Sequence, residues 1–327
     1  MKKNLRIAAV MVTVALVAAG CGTPDEPPRP VSAEATATVP RPLNVQDPAE
    51  VPSPSGAPTC NPRASLRPPA SMPKPNRMPV DSTMAEIQQR GRLIIGIDQN
   101  AYLFGFRDPG SGELVGFEID FGREIARAIF GDPTKVEFRA ITTAERIPKL
   151  QSEEVDLVIR TMSMTCERWQ QVLFSTEYIP SRQRLLVRKA DKINDFPDLK
   201  GKKVCATKGS TSIVTIAKQP YNLIPVSTDS TLDCLVLLQQ GQVDAVSTID
   251  ILLAGLAAQD PTTEVTGTAV SDEPAGIGIP LEHRDMAGFV NGVLDKMRAD
   301  GTWTDIYNKW LKERLGPATP PVPVYQN

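Results

Sequence analysis

Histidine is nearly missing from this chain: His283 is the only one in 327 residues, so imidazole triads and histidine-based zinc sites have almost nothing to be built from. An excess of either charge is missing too. With 36 Lys+Arg against 38 Asp+Glu and a formal net charge of −2, no polybasic face for nucleic acid is implied. No apolar run approaches the roughly 20 residues of a bilayer span; Ile7 to Ala19 covers 13. The five cysteines form no C-x-x-C pair, which leaves a thioredoxin-like centre or a Cys₄ zinc site unsupported. What is abundant is proline: 16 of the 30 fall between Gly22 and Val80. The remaining composition, 41% hydrophobic and 23% charged, suits one or two ordinary globular domains.

The first 21 residues read as an export signal. Lys2, Lys3 and Arg6 precede the apolar run, and Ala18-Ala19-Gly20-Cys21 follows it. Small residues ending in cysteine resemble the bacterial lipobox, with Ala18 where leucine is usual, which implies cleavage before Cys21 and acylation of that residue. Loss of residues 1 to 20 moves the formal charge to −5, because three cations and no anions leave with them. From residue 22 to about 80 the chain is rich in Pro, Ala, Ser and Thr, too poor in apolar surface to offset chain entropy. An extended spacer, partly polyproline II, is expected there, with the fold beginning after it.

Four cysteines remain: Cys60, Cys166, Cys205 and Cys234. An even number in an exported chain favours two disulfides, for which three pairings exist. Cys205 lies in an apolar strand-like run and Cys234 on a helix-like run of the same segment, so these two are expected to pair. That leaves Cys60 with Cys166, a staple from the spacer to the globular body.

Beyond residue 84, strand and helix patterns alternate. Arg92 to Ile97 is a short buried strand, Phe121, Ile125 and Ile129 recur at helical spacing, and Val136, Phe138 and Ala140 alternate as a half-buried strand. A repeat links two parts of the body: Leu150 to Val158 recurs as Leu238 to Val246, each a helix end followed by a strand opening with Val-Asp. Two α/β lobes of similar build follow. Strand-like Arg184–Lys189 and Ala275–Pro280 flank the second unit, so the crossings are expected near 187 and 279. Met286, Phe289, Val293 and Met297 mark a helix returning to the first lobe, with another starting near Thr302. The expected organisation is a signal peptide over 1–20, the acylated cysteine and spacer over 21–80, lobe 1 over 81–186, lobe 2 over 187–278, a return over 279–316 and a tail over 317–327. A cleft between lobes joined by two strands is a binding crevice at strand carboxyl ends.

The segments Leu93-Ile-Ile-Gly-Ile-Asp98, Leu114-Val-Gly-Phe-Glu-Ile-Asp120, Val155 to Arg168, Gly209-Ser-Thr-Ser212, Gly241 to Val246 and Asp300 to Trp310 occur in order behind the lipobox. Together they resemble the bacterial extracellular solute-binding proteins of family 3, which capture polar amino acids, in particular the glutamine-binding lipoproteins of actinobacteria. The resemblance implies a two-lobed periplasmic-binding-protein-like fold of type II, with a ligand cleft and a two-strand hinge. It also implies site residues. Arg168 matches the arginine that the family uses for the α-carboxylate, and a guanidinium is the planar fork for it. Thr161, Ser163 and Thr165 alternate toward one side of an extended run, offering hydroxyls and carbonyls. Ser210, Thr211 and Ser212 open a helix whose free N–H groups suit a carboxylate. The family's ammonium-binding aspartate falls here at Ile249, with Asp250 next; either a one-residue bulge would bring Asp250 into the cleft, or the ammonium would rest on Ser163, the Thr161 carbonyl and another acid. Asp98, Arg160 and the residues around Thr207 and Lys208 would select the side chain, Asp98 favouring an amide and Arg160 an anion, unless those two pair with each other. Tyr102 and Phe104 would wall the ligand stem.

The function expected is capture of one polar L-amino acid of the Gln, Glu, Asn and Asp group by lobe closure. The protein would be a lipid-anchored monomer outside the cytoplasm, presenting its ligand to an ABC permease or a transmembrane receptor, with no cofactor, metal or nucleic acid. An enzyme on the same scaffold, a periplasmic dehydratase, would have to use Asp98 and Glu118 as acid and base. A third reading is a docking lipoprotein without ligand.

Overall fold

In a computed structural model of the chain, residues 39–52, 56 and 58–326 are described; the export signal, Cys21 and the first part of the proline-rich stretch lie outside them. The apolar run at 93–97 is buried at every position and forms β1 (Leu93–Ile97), flanked by β2 (Val136–Ala140) and β3 (Leu157–Ser163), both parallel to it. After the short β4 (Leu173–Phe174) the chain enters a second sheet of β5 (Arg182–Arg188), β6 (Lys203–Thr207), β7 (Ile224–Thr228), β8 (Ala245–Ile249) and β9 (Thr263–Asp272). It then returns as β10 (Ala275–Ile279), giving two five-stranded sheets ordered β2-β1-β3-β10-β4 and β7-β6-β8-β5-β9. In each sheet three strands run parallel and the strands bordering the crossings run antiparallel to their neighbours.

Helices cover these sheets, most of them with their apolar residues on one stripe. In the first lobe, α1 (Thr83–Arg90) is capped by Ser82, whose side chain accepts from Ala85 N at 3.1 Å. Next, α2 (Phe117–Phe130) buries Phe117, Phe121, Ile125 and Ile129 in the main core, each contributing about 1.5–3 kcal/mol. The short α3 (Arg146–Gln151) precedes β3. In the second lobe α4 (Thr211–Lys218), α5 (Thr231–Gln239) and α6 (Asp250–Gln259) alternate with the strands. After β10 come α7 (Arg284–Asp300) and α8 (Thr302–Trp310), whose Met286, Phe289, Val293, Met297 and Trp303 join the first lobe's core.

The internal repeat has a physical cause. Asp156 Oδ2 accepts from Ile94 N at 2.7 Å while Asp156 N donates to Ile94 O at 2.9 Å; in the other lobe Asp244 Oδ2 accepts from Lys203 N at 2.9 Å while Asp244 N donates to Lys203 O at 2.9 Å. Each Val-Asp step thus locks the incoming strand to its parallel neighbour. Both expected disulfides are present, Cys60–Cys166 and Cys205–Cys234.

Two expectations differ from the structure. The stretch expected to be a free spacer up to residue 80 is, where described, part of the fold. Gln46 exchanges backbone hydrogen bonds with Ser227, both 3.0 Å, and Asp47 pairs with Lys203 at 2.7 Å on the second lobe. On the first lobe Ser65 is buried and donates to Phe174 O at 2.6 Å, and Trp169 Nε1 donates to Pro62 O at 2.8 Å. Farther along, Met72 lies so close to Gly292 of α7 that a Cβ there would collide with its Sδ. Proline-rich chain loses little entropy on ordering, so a disulfide and a few side chains suffice to hold it. The crossings also differ: β5 belongs wholly to the second sheet and β10 wholly to the first, so the boundaries expected at 186/187 and 278/279 fall inside strands. The hinge is instead made of 175–181 and 273–274, stitched by Glu273 N to Ser181 O at 2.8 Å and Ala275 N to Ile179 O at 3.2 Å. A strand's sheet is decided by its partner, which local sequence does not carry.

Candidate functional site

The carboxyl ends of the parallel strands face one another across the gap between lobes. β3 delivers Arg160, Thr161 and Ser163, the turn after β2 delivers Thr143, and the first residue of α3 is Arg146. Opposite them, β6 ends at Thr207 and α4 opens on Thr211 and Ser212, with Ser210 as its cap; β8 ends at Thr248 and Ile249. These side chains enclose a slot of ≈ 20 Å³, about the room of one water molecule. An amino acid cannot enter without the lobes parting. A wider groove of ≈ 430 Å³ leads outward past Thr165, Arg168, Gly209 and Thr211.

Two guanidiniums bridge the gap. Arg168 is buried, donates through Nη1 to Ser163 O at 2.8 Å within its own lobe and through Nη2 to Gly209 O at 3.2 Å in the other. Arg146, which the sequence reading missed, is fully buried and meets only carbonyls: Thr143 O at 2.9 Å, Arg160 O at 3.2 Å, and Thr161 O and Gly209 O both at 3.5 Å. Burial, with the Arg168 and Arg160 charges beside it, pushes its pKa well below the usual guanidinium value. Burial likewise lowers that of Arg168. Since a guanidinium keeps its proton, Arg146 is a buried cation without a carboxylate partner among the described residues. Its sequence signal was thin, an arginine two residues before Pro148 in a short helix; the informative cue was its place just after β2.

Gly209 permits this approach. Its φ is +75°, and a Cβ there would stand 2.8 Å from Ala144 Cα of the other lobe. Across the same contact Ser163 and Thr211 hydroxyls lie 3.4 Å apart, and Thr211 donates to Glu273 Oε2 at 2.8 Å. Ser212 donates to Thr248 Oγ1 at 3.3 Å. Ser210 accepts from Ile213 N at 3.2 Å, so it caps α4 while lining the slot.

Asp98 and Arg160, whose opposed preferences left mutual pairing as the alternative, bind each other at 2.7 Å. Arg160 is also spent on Ile141 O at 2.8 Å and Thr143 Oγ1 at 2.5 Å, which makes it a scaffold for the slot wall. Glu118 is buried behind β3, accepting from Thr161 N at 2.6 Å and from the Tyr178 hydroxyl; its second oxygen, Oε2, has no partner among the described residues. Burial raises its pKa to about 7, opposed by those two hydrogen bonds. It holds Thr161 at φ +41°, a strained conformation for a β-branched residue. Neither carboxyl of the pair that a dehydratase would need lines the slot.

Five expected residues stand elsewhere than in the slot lining. Phe104 is fully buried in the first lobe's core, edge-on to Phe117 at 5.9 Å, because the turn it sits on folds inward. Lys208 is exposed, outside the slot lining. Thr165 accepts from Arg168 N at 3.2 Å and so shapes the turn that presents Arg168. Asp250 accepts from Arg182 N at 3.1 Å and lines a ≈ 480 Å³ cavity behind the hinge with Tyr307 and Arg314. No bulge interrupts β8, so Ile249 takes the slot and Asp250 the opposite side. Tyr102 lies at the lobe interface beside Asp98 and Thr231, outside the slot.

Residues 93–313 match the profile of the bacterial extracellular solute-binding proteins, family 3. The ABC transporter glutamine-binding protein GlnH of Bacillus subtilis is 37% identical over 232 residues, 71% of this chain and 85% of its own length. The glutamate-binding protein GluB of Corynebacterium efficiens is 30% identical over 249 residues, 72% of this chain and 82% of its own. Among solved structures, the solute receptor for L-cysteine of Neisseria gonorrhoeae superposes with a TM-score of 0.69 at 27% identity, covering 72% of this chain and 96% of that one.

Proposed function

The chain belongs to the bacterial extracellular solute-binding proteins of family 3, and from that premise we propose that it captures a polar amino acid of the Gln, Glu, Asn and Asp group by closing its lobes, the acidic members ahead of the amides. The observation that carries the preference is Arg146, buried in the slot with carbonyl partners only. A second acid group on the ligand compensates that cation, whereas an amide leaves it uncompensated. The α-carboxylate goes to Arg168, in a fork that also spans the lobes, and to the first N–H groups of α4. Closure brings these groups around the solute, and no bond need be made or broken.

The closed form, held outside the cytoplasm by an acyl chain on Cys21, is presented to a membrane partner, an ABC permease or a transmembrane receptor. The fit to a glutamine-binding and a glutamate-binding relative supports this reading. A calorimetric panel of the twenty amino acids tests it: L-glutamate and L-aspartate are expected to bind at least about tenfold more tightly than L-glutamine and L-asparagine. Tighter binding of the amides, or no binding at all, contradicts it.

A further inference from the structure

An α-amino acid needs an anion for its ammonium, and the slot lining carries none. Arg146 and Arg160 are its charged members, and hydroxyls with Ile249 and Leu252 make up the rest of the described lining. Four carboxylates stand near, each engaged outside the slot. Asp98 holds Arg160 at 2.7 Å and accepts from Asn100 N at 2.8 Å. Glu118 is turned to Thr161 N and the Tyr178 hydroxyl behind β3. Glu273 takes the hydroxyls of Thr211 and Ser271 at 2.8 and 2.7 Å from the outer groove. Asp250 accepts from Arg182 N at 3.1 Å, within the second lobe. An ammonium drawn into the slot would lie beside guanidiniums with no free acid, a costly placement for a desolvated cation. A short chain with a carboxylate at each end meets the opposite case: it brings two anions to two guanidiniums, Arg146 and Arg168, which converge on Gly209 O, with hydroxyls beside them.

We propose that the slot takes linear dicarboxylates of four or five carbons without an ammonium group at least as readily as the amino acids of the same length. This rests on the slot being the ligand site, the reading of the preceding section. Glutarate and succinate are the probes, since they are L-glutamate and L-aspartate less the ammonium. Titrated calorimetrically into the intact exported protein, each is expected to bind within about tenfold of its amino acid or more tightly, where loss of one partner from a buried charge pair would cost far more than tenfold. If the amino acids bind and the dicarboxylates are weaker by more than about tenfold, the inference falls and the amino-acid reading stands. If none of the four binds, both fall. Ile249→Asp supplies an acid at a helix cap, a position where aspartate is favoured, and is expected to shift the amino acid to dicarboxylate ratio at least about tenfold toward the amino acids, with Ile249→Asn as the uncharged control. A ratio unmoved by Ile249→Asp, or moved as far by the control, overturns the charge argument.

Discussion

Replacing Arg146 by methionine separates a binding cation from a structural one. Methionine keeps most of the stem and removes the charge. In the free protein the guanidinium holds one good hydrogen bond, to Thr143 O at 2.9 Å, and longer ones to Arg160 O, Thr161 O and Gly209 O. Such a bond to a charged group contributes about 1.5–3 kcal/mol, while burying an uncompensated ion costs several kcal/mol. The two nearly cancel, so the variant should differ from the parent by no more than about 1 kcal/mol, a Tm shift of about 2–4 °C. Affinity should behave otherwise. Removing one partner of a buried ligand charge costs about 2–5 kcal/mol, or roughly 30- to 5,000-fold for L-glutamate. Scanning calorimetry without ligand and titration calorimetry with it read the two quantities. Affinity retained within about threefold, or a loss of stability above about 3 kcal/mol, refutes the reasoning.

Gly209→Ala places a Cβ against Ala144 at positive φ, and should weaken binding at least about tenfold by hindering closure, checked by titration and by small-angle scattering with ligand. Glu118, raised from 4.5 to about 7 in the folded state, favours the protonated form, so its contribution is full below pH 4.5 and is lost as pH rises to 7. About 3 kcal/mol is at stake, and Glu118→Gln should flatten denaturant stability across that window; an unchanged slope sinks the assignment. Removing the Cys205–Cys234 bond, 29 residues apart, should cost about 3.5 kcal/mol and the Cys60–Cys166 bond, 106 apart, about 5 kcal/mol, measured by chemical denaturation of paired serine variants. Asp250→Asn, altered behind the hinge, should leave affinity within about threefold.

Legibility in the sequence followed the range of the interaction. Apolar spacing in 117–130 and 284–300 and the repeated Val-Asp steps are local, and they marked two α/β lobes before any contact was known. The disulfide partners were readable because Cys205 and Cys234 share a segment. What escaped depends on partners distant in sequence. Strand Arg182–Arg188 joins the second sheet only through Ala245–Ile249 and Thr263–Asp272. Asp250 and Ile249 differ by one step, and only the unbroken pairing of β8 decides which faces the slot. Phe104 looks like a cleft aromatic until its turn is seen to fold into the core. Proline content marked 22–80 as poor in apolar residues, yet Ser65, Met72 and Cys60 were enough to fasten its described part. Arg146 was hidden by a surface-like context, although its position after a parallel strand was the available clue.

A crystal structure of the protein grown with L-glutamate tests the central claim most directly. The account predicts the solute between the lobes, one carboxylate within hydrogen-bonding distance of the Arg168 guanidinium and the other near Arg146. A solute bound behind the hinge, or an Arg168 fork turned away from it, would contradict the account.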